Sequence, residues 1–594
     1  MNENVAKLKS WLAMRNLDHA LREELEVLLS EFEVAGGTGK AAEEIDDRFY
    51  RELAFGTAGM RGVMGAGTNR MNVLTVRRAS QGFADALWER DGGRAGASAV
   101  KIAIAYDNRR NSDLFAFEAA CVFVANGIET HLFGRLSSTP LLSYAVRRLG
   151  CAAGVVVTAS HNPKQYNGYK IYDSSGCQCL TEDAERVAGK IAATDIKTGI
   201  KTAADRYAGT LSERVKAAAR AEDLLHVIDE SMEETYVGAV MELSLNPGAA
   251  ADLSVVYSPL NGTGNIPVRS MFAKAGVGSA ETVEEQAWPD PEFSTCPEPN
   301  PEKEEALRPG LELCRAKQAA GEPPDILIAT DPDCDRVGAA VLSNGAYVQL
   351  TGNQIGVLLL DYIITERRKR GDMPELPVMV TTIVSTPLAS AIAAENGVEA
   401  RKVLTGFKYI GETINNLEAA DGENRFLLGF EESCGYLSGV HVRDKDAVNA
   451  ALLICEMAGL YKRRGKTLAD RLGELDERYG YFMEELVEFA KPGQKGMAEI
   501  RSIMDRARQV EIRSAFSSEL SSHNDYERMW TPKADVVEFV FAAGSRAILR
   551  PSGTEPKLKI YLSSRGNTRE AAEEALRRLK EEVLAAVGVQ GSAD

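Results

Sequence analysis

The chain is 594 residues long, 44% hydrophobic and 26% charged, with 69 Lys and Arg against 86 Asp and Glu for a formal charge of −17 at pH 7. This length predicts about four domains, and the ordinary composition excludes collagen-like, disordered and membrane-spanning classes. The acidic balance excludes a general nucleic-acid binder, which needs a basic face, but it permits a local Arg/Lys cluster that takes an anionic substrate.

Residues 1–50 read as helical. Trp11, Leu12, Leu17, Leu21, Leu25, Leu28 and Leu29 recur at helical spacing between charges, which predicts packing helices without chemistry. A second pattern then occurs three times: a β-rich apolar run ends in a polar loop, and 50–70 residues later another does the same. The first unit has Val100–Tyr106 before Asp107-Asn108-Arg109-Arg110, and Gly154–Val157 before Thr158-Ala159-Ser160-His161-Asn162-Pro163. The second has Leu253–Tyr257 before Ser258–Gly264, and Asp325–Ala329 before Asp331-Pro332-Asp333-Cys334-Asp335-Arg336. The third has Val378–Val384, then Arg425–Leu428 before Gly429-Phe430-Glu431-Glu432-Ser433. Short apolar runs alternating with helical patterns predict βαβ units.

Between Trp288 and Pro301 lie five of the 21 prolines, which predicts an extended loop. The tail changes character, with strand-like Val536–Phe541 and Leu558–Leu562 around a basic turn, and a closing helix whose capping-box spacing places its start at Asn567 and Glu570. The predicted fold is α/β: three similar α/β domains with mixed, mostly parallel sheets, and a C-terminal α+β domain. The expected domains are residues 1–205, 206–340, 341–480 and 481–594.

No apolar run reaches the roughly 20 residues of a transmembrane helix. Met1–Lys7 lacks the basic and apolar regions of a secretory signal. The nine cysteines are scattered and include no CxxC pair, which argues against a disulfide framework or zinc site and for reduced thiols in the cytoplasm.

In α/β sheets, ligands bind outside the carboxyl ends of strands, so the loops carry the functional argument. Asp331, Asp333 and Asp335 put three hard oxygen donors in one turn, which suits Mg²⁺. An EF-hand does not fit, because no Gly occupies loop position six and no helix precedes. Ser160, just past a buried strand, offers a hydroxyl as nucleophile or phosphoryl carrier. Arg550-Pro551-Ser552-Gly553-Thr554-Glu555-Pro556-Lys557-Leu558-Lys559 has the composition of a phosphate cradle. Glu431 and Glu432 offer acceptors to a sugar, while a glycosidase pair is disfavoured because neighbours on a strand point opposite ways. Thr405–Gly411 reads by itself as a turn with a surface Lys408. Phe55–Gly62 is glycine-rich but lacks the Walker Lys-Ser/Thr and follows no evident strand.

These loops, in this order over about residues 40–580, resemble the α-D-phosphohexomutase superfamily, in the phosphoglucomutase branch that also contains phosphopentomutases. Thr158–Pro163 with Asn167–Lys170 resembles the phosphoserine loop, Asp331–Arg336 the metal loop, Glu431–Ser433 the sugar loop and Arg550–Thr554 the phosphate loop. The resemblance implies four domains around a central cleft and a phosphoryl group carried by Ser160. The reaction it implies is interconversion of glucose 1-phosphate and glucose 6-phosphate through glucose 1,6-bisphosphate, which also serves as activator. Ser160, Asp331, Asp333 and Asp335 would ligate Mg²⁺. Arg61 and Lys170 would steady the transferring group, and Lys408 would be general base or acid. His161 reads as a positioning neighbour rather than the base. Arg336, Glu431, Ser433, Arg550, Ser552, Gly553, Thr554 and Lys559 would bind substrate. The implied partners are sugar phosphates, with neither nucleic acid nor membrane, and the protein would be a cytoplasmic monomer or weak homodimer. The chain departs from the phosphomannomutase pattern in reading Glu431-Glu432-Ser433-Cys434-Gly435, with no His at the corresponding place, and it carries Pro332 and Cys334 where glycines are common. The alternatives are a phosphopentomutase acting on ribose or deoxyribose 1-phosphate and, behind it, a phosphomannomutase.

Overall fold

The computed structural model describes residues 2–14, 17–56, 59–90, 100–421, 425–490, 493–509, 514–530, 532–552 and 557–589. Two compact units result: Met1–Leu350 with Phe407–Phe426 and Ser433–Leu460, and Thr351–Gly406 with Leu427–Glu432 and Tyr461–Asp594.

The first unit begins with helices Asn2–Leu12, His19–Val34 and Lys40–Phe49. Their apolar faces meet as expected: Leu8, Trp11, Leu25, Leu28, Ile45 and Phe49 are buried together. Trp11 and Phe49 pack edge to face at 5.7 Å.

A seven-stranded sheet follows. Its strands are β1 (Phe55–Gly56), β2 (Gly59–Val63), β3 (Lys101–Tyr106), β4 (Glu129–Phe133), β5 (Ala153–Val157), β6 (Tyr166–Asp173) and β7 (Leu225–Ile228), in the order β1-β2-β6-β5-β3-β4-β7. β5, β3, β4 and β7 run parallel, while β6, β2 and β1 add antiparallel on one flank. Every residue of β5 is buried, which is why it reads as a continuous apolar run. No strand is evident from sequence at Phe55–Gly62, yet β1 and β2 lie there. Glycine makes this pairing possible: Gly59 has φ +93°, and a Cβ there would meet the Tyr169 carbonyl oxygen at 2.2 Å. Thr57 and Ala58 of this stretch lie outside the described residues.

The second sheet contains β8 (Ser254–Ser258), β9 (Ser279–Thr282), β10 (Ile326–Thr330), β11 (Val337–Ser343) and β12 (Ala346–Leu350), ordered β12-β11-β10-β8-β9. It repeats the scheme, with β10, β8 and β9 parallel and β11 and β12 antiparallel. The proline-rich stretch has no regular element between helices Glu284–Ala287 and Glu304–Ala319.

In the second unit, β13 (Val378–Thr382) lies between β14 (Glu399–Val403), to which it is parallel, and β15 (Phe426–Glu431). The strand β16 (Gly435–Leu437) comes next in the chain. The C-terminal sheet comprises β17 (Tyr481–Ala490), β18 (Leu520–Asp525), β19 (Val537–Phe541), β20 (Arg546–Pro551) and β21 (Lys557–Gly566), ordered β17-β21-β20-β19-β18 and antiparallel throughout. The closing helix is Arg569–Val587. Its cap is Thr568 rather than Asn567: the Thr568 hydroxyl accepts from the Ala571 amide at 3.2 Å, one residue beyond the expected box.

Candidate active site

Ser160 follows β5 in a tight turn and is 2% exposed. Its φ of +54° lies in the left-handed region, which a serine occupies only where its surroundings hold it. Arg109 does the holding. Its guanidinium donates to the carbonyls of Ser160 and Asn162, both at 2.5 Å, and to those of Pro163 and Tyr166 at 3.0 and 3.1 Å. Asp107 anchors Arg109 from behind at 3.3 Å. The same carboxylate accepts from the hydroxyls of Thr158 (2.6 Å) and Ser112 (2.7 Å). Opposite the loop, Gly168 lets β6 approach, since a Cβ there would sit 2.5 Å from the Thr158 carbonyl oxygen. From sequence, Asp107–Arg110 is a polar loop with no role of its own. The signal that could have found it is an Asp-x-Arg just past a buried strand.

The Ser160 hydroxyl donates to Asp331 Oδ2 at 2.9 Å, and His161 Nδ1 lies 3.3 Å from the same Oγ. Burial, reinforced by the Arg336 and Arg61 charges, pushes the His161 imidazole well below its usual pKa, so the ring is neutral near Ser160. Arg61, on β2, donates to the Asn162 side chain at 2.8 Å. Lys170, on β6, reaches Asp333 at 2.9 Å and Asp335 at 3.7 Å.

Asp331, Asp333 and Asp335 are buried, and their ligand atoms lie within 4.8 Å of one another. Cys334 turns the loop at φ +55°, and Gly262 leaves room for it: a Cβ on Gly262 would meet Pro332 Cα at 2.4 Å. Amides of Asp335 and Arg336 donate to Asp331 Oδ1, both at 3.0 Å, and Thr139 donates to Asp333 Oδ2 at 3.0 Å. Buried Oδ1 atoms of Asp333 and Asp335 have no hydrogen-bond partner. Burial and the charges of Asp333 and Asp335 push Asp331 well above the carboxylate range. Asp335 is raised by burial and Asp333. Burial also opposes ionisation of Asp333, but Lys170 beside it prevails and holds it below that range. Orphaned oxygens and crowded carboxylates are the features a divalent cation relieves, so these residues fit Mg²⁺.

Lys445, Asp444 and Tyr172 join this cluster without having been singled out from sequence. Lys445 lies 3.1 Å from Asp335 and 3.0 Å from Asp444, and Tyr172 donates to Asp444 at 2.8 Å. The four acids thus meet Lys170, Lys445 and Arg336, the last 3.8 Å from Asp335. Lys445 lies in a charged stretch, Arg443-Asp444-Lys445-Asp446, that carries no spacing signal of its own.

The remaining expected residues are placed as follows. Lys408 is no surface residue: it stands in the first turn of helix Phe407–Asp421, 7% exposed. Burial lowers its pKa, and the Cys177 thiol donates to its carbonyl at 3.3 Å. Arg336 donates to Glu302 at 2.7 Å. Glu431 ends β15 and accepts from the Gly406 amide at 2.9 Å, whereas Glu432 accepts from Thr382 at 3.3 Å, so the neighbours diverge as expected. Ser433 occupies the turn after β15. Arg550 and Lys559 stand directly opposite each other on β20 and β21. Lys559 also reaches Glu488 at 3.3 Å, and the Ser552 amide donates to the Lys557 carbonyl at 2.7 Å. Facing like charges cost stability in a sheet, and here Glu488 offsets part of that cost for Lys559. Gly553 and Thr554 lie outside the described residues.

A strand-end serine beside three buried aspartates, on repeated α/β layers, defines a phosphoryl-transfer type of centre. Models of the phosphoglucomutase/phosphomannomutase family match the chain in succession: α/β/α domain I at residues 52–197, domain II at 234–344, domain III at 351–479 and the C-terminal domain at 492–584. The chain belongs to this family, within the α-D-phosphohexomutase superfamily. Among curated relatives, the phosphoglucomutase of Staphylococcus epidermidis is 34% identical over 539 residues, covering 88% of this chain and 93% of that one. The phosphoglucomutase of Staphylococcus haemolyticus is 33% identical over 529 residues, covering 87% and 91%. The fold also resembles the open form of pp63/parafusin, a phosphoglucomutase from Paramecium, with TM-score 0.69 and 19% identity over 91% of this chain and 95% of that one. A phosphoglucomutase/phosphomannomutase family protein from Burkholderia thailandensis gives TM-score 0.62 at 15% identity, covering 90% and 97%. Among the described residues, no helix is long and apolar enough to cross a membrane.

Proposed function

We propose that the protein is a phosphoglucomutase, interconverting glucose 1-phosphate and glucose 6-phosphate through a phosphorylated Ser160 and glucose 1,6-bisphosphate. The observation that carries this reading is the Ser160 hydroxyl held 2.9 Å from Asp331, in a triad with orphaned carboxylate oxygens. Relatives named phosphoglucomutase, matched over nearly their whole length, support the same choice.

Asp331, Asp333 and Asp335, with Ser160 Oγ, would hold Mg²⁺, which when bound neutralises charge on the phosphoryl oxygens. The Arg109 clamp fixes the direction of Ser160 Oγ, as in-line transfer demands. Arg61 and Lys170 supply positive charge beside it. His161, kept neutral, positions the hydroxyl. Lys408, its ammonium disfavoured by burial, exchanges a proton with the sugar hydroxyl that attacks or leaves. Arg336, Glu431 and Ser433 bind the sugar phosphate, while Arg550, Ser552, Gly553, Thr554 and Lys559 hold its non-reacting phosphate. The reading divides the chain at 1–205, 206–340, 341–480 and 481–594, and describes a cytoplasmic monomer or weak homodimer.

The test supplies glucose, mannose and ribose 1-phosphates separately with Mg²⁺ and trace glucose 1,6-bisphosphate. Highest kcat/KM for glucose 1-phosphate supports the proposal. A preference for ribose 1-phosphate would make the enzyme a phosphopentomutase and overturn the glucose assignment.

A further inference from the structure

A cavity of about 520 Å³ lies in the first unit away from the aspartates. It opens at the carboxyl ends of the parallel strands β3, β4 and β7, with Tyr106, Phe133 and Val227 on its walls. Helix Leu211–Ala221 covers it, presenting Leu211, Val215 and Ala219. The carboxyl ends of parallel strands are where α/β folds take ligands, and the size and apolar lining are those of a small-molecule site. Lys216 and Arg220 line it from the exposed side of the helix, against a single acid, Asp113. The covering helix and β7 fall in residues 198–233, between the spans matched by the models for domains I and II.

One wall leads to the active site. Tyr106 pairs with Val157 in the sheet. The next residue, Asp107, donates its amide to the Val157 carbonyl at 3.1 Å, and its carboxylate holds Thr158 and Arg109. A shift of Tyr106 is therefore felt by the groups that fix Ser160.

We propose that this cavity is a regulatory site for a small amphiphilic anion, an apolar body bearing one carboxylate or phosphate, read out through Tyr106 and Asp107 at the Ser160 loop. Lys216 and Arg220 select the anionic group, and the apolar walls select the body. Binding stands apart from the proposed reaction. Only its effect on turnover rests on that reading.

The experiment titrates the full-length protein with 3-phenylpropionate, phenyl phosphate and the neutral 3-phenyl-1-propanol, by calorimetry and saturation-transfer NMR. The better anion binds with one-to-one stoichiometry, about three- to fivefold tighter than the alcohol, the advantage two exposed cations supply. The preferred anion tells carboxylate from phosphate. Lys216→Gln/Arg220→Gln abolishes that preference while the alcohol still binds, and Val215→Trp, which puts an indole into the cavity, weakens binding of every probe. Hydrogen exchange in the peptides covering 106–112 and 157–163 slows in the anion complex. Failure of every probe to saturate, or undiminished binding by Val215→Trp, overturns the site. Unchanged exchange in 157–163 at saturation overturns the coupling. Should Val215→Trp misfold, the glutamine variant decides, because both of its positions are exposed: an anion preference that survives it refutes the proposal.

Discussion

Replacing Arg109 by Met removes the charge that ties the Ser160 loop to β3 while keeping the apolar stem over Phe293, where the guanidinium now stacks 5.1 Å from the ring centroid. Four carbonyls lose a donor, and Asp107 stays buried without its counter-ion. Removing one partner of a buried pair costs about 3–5 kcal/mol. At about 2.1 cal/mol/K per residue over about 400 residues, that lowers the melting midpoint of the first unit by about 5 °C. Turnover falls further, since displacing a reacting group by about 1 Å costs about a hundredfold. The pH dependence supplies an independent check. Burial already raises the Asp107 pKa in the folded protein, and losing Arg109 raises it more. A carboxyl whose folded pKa exceeds its unfolded value destabilises when ionised, so stability falls as pH rises. The deficit of Arg109→Met should therefore shrink as the pH is lowered from neutrality toward the ordinary carboxylate range, and Asp107→Asn in the same chain should recover stability but not turnover. Calorimetry and steady-state kinetics on the three variants measure this. A midpoint within about 1 °C of wild type, with turnover within a few-fold, would refute the clamp.

The crowded carboxylates make a second prediction. Because burial and its neighbours raise the Asp331 pKa in the folded protein, the metal-free enzyme should lose stability as pH rises above the ordinary carboxylate range, and Mg²⁺ should reverse the loss. Asp331→Asn should reduce that slope and the Mg²⁺ response together in a thermal melt, and a pH-independent Mg²⁺ response would contradict it. For Lys408, whose pKa burial lowers, kcat/KM should rise with pH through that depressed value, and Lys408→Met should remove this limb and cost about 10²- to 10⁴-fold in kcat. Arg550→Gln should raise KM for sugar phosphates without loss of thermal stability, because it relieves a facing pair of like charges while the Lys559–Glu488 pair is kept. A fall in kcat at constant KM would count against the cradle.

The parts legible from sequence were those with local signatures. β5 and β10 announced themselves as unbroken apolar runs, and Ser160 and the three aspartates followed directly from where those runs stop. The parts that were not legible depend on distant chain meeting in space. β1 and β2 carry little apolar pattern, and pairing makes them strands: β2 with the distant β6, and β1 with β2. Lys408 sits in a segment that resembles a surface turn, and tertiary packing alone buries it. Arg109 and Lys445 act on residues 51 and 110 positions away, a distance over which sequence spacing says nothing.

The central claim is that Ser160 carries the phosphoryl group, and mapping that modification tests it most directly. The protein is incubated with glucose 1,6-bisphosphate and Mg²⁺, digested and read by mass spectrometry, then discharged with glucose 1-phosphate. The account predicts one phosphoryl group on the peptide containing Ser160, its return to the sugar as bisphosphate, and no labelling in Ser160→Ala. Phosphate on another residue, or full turnover by Ser160→Ala, would contradict it.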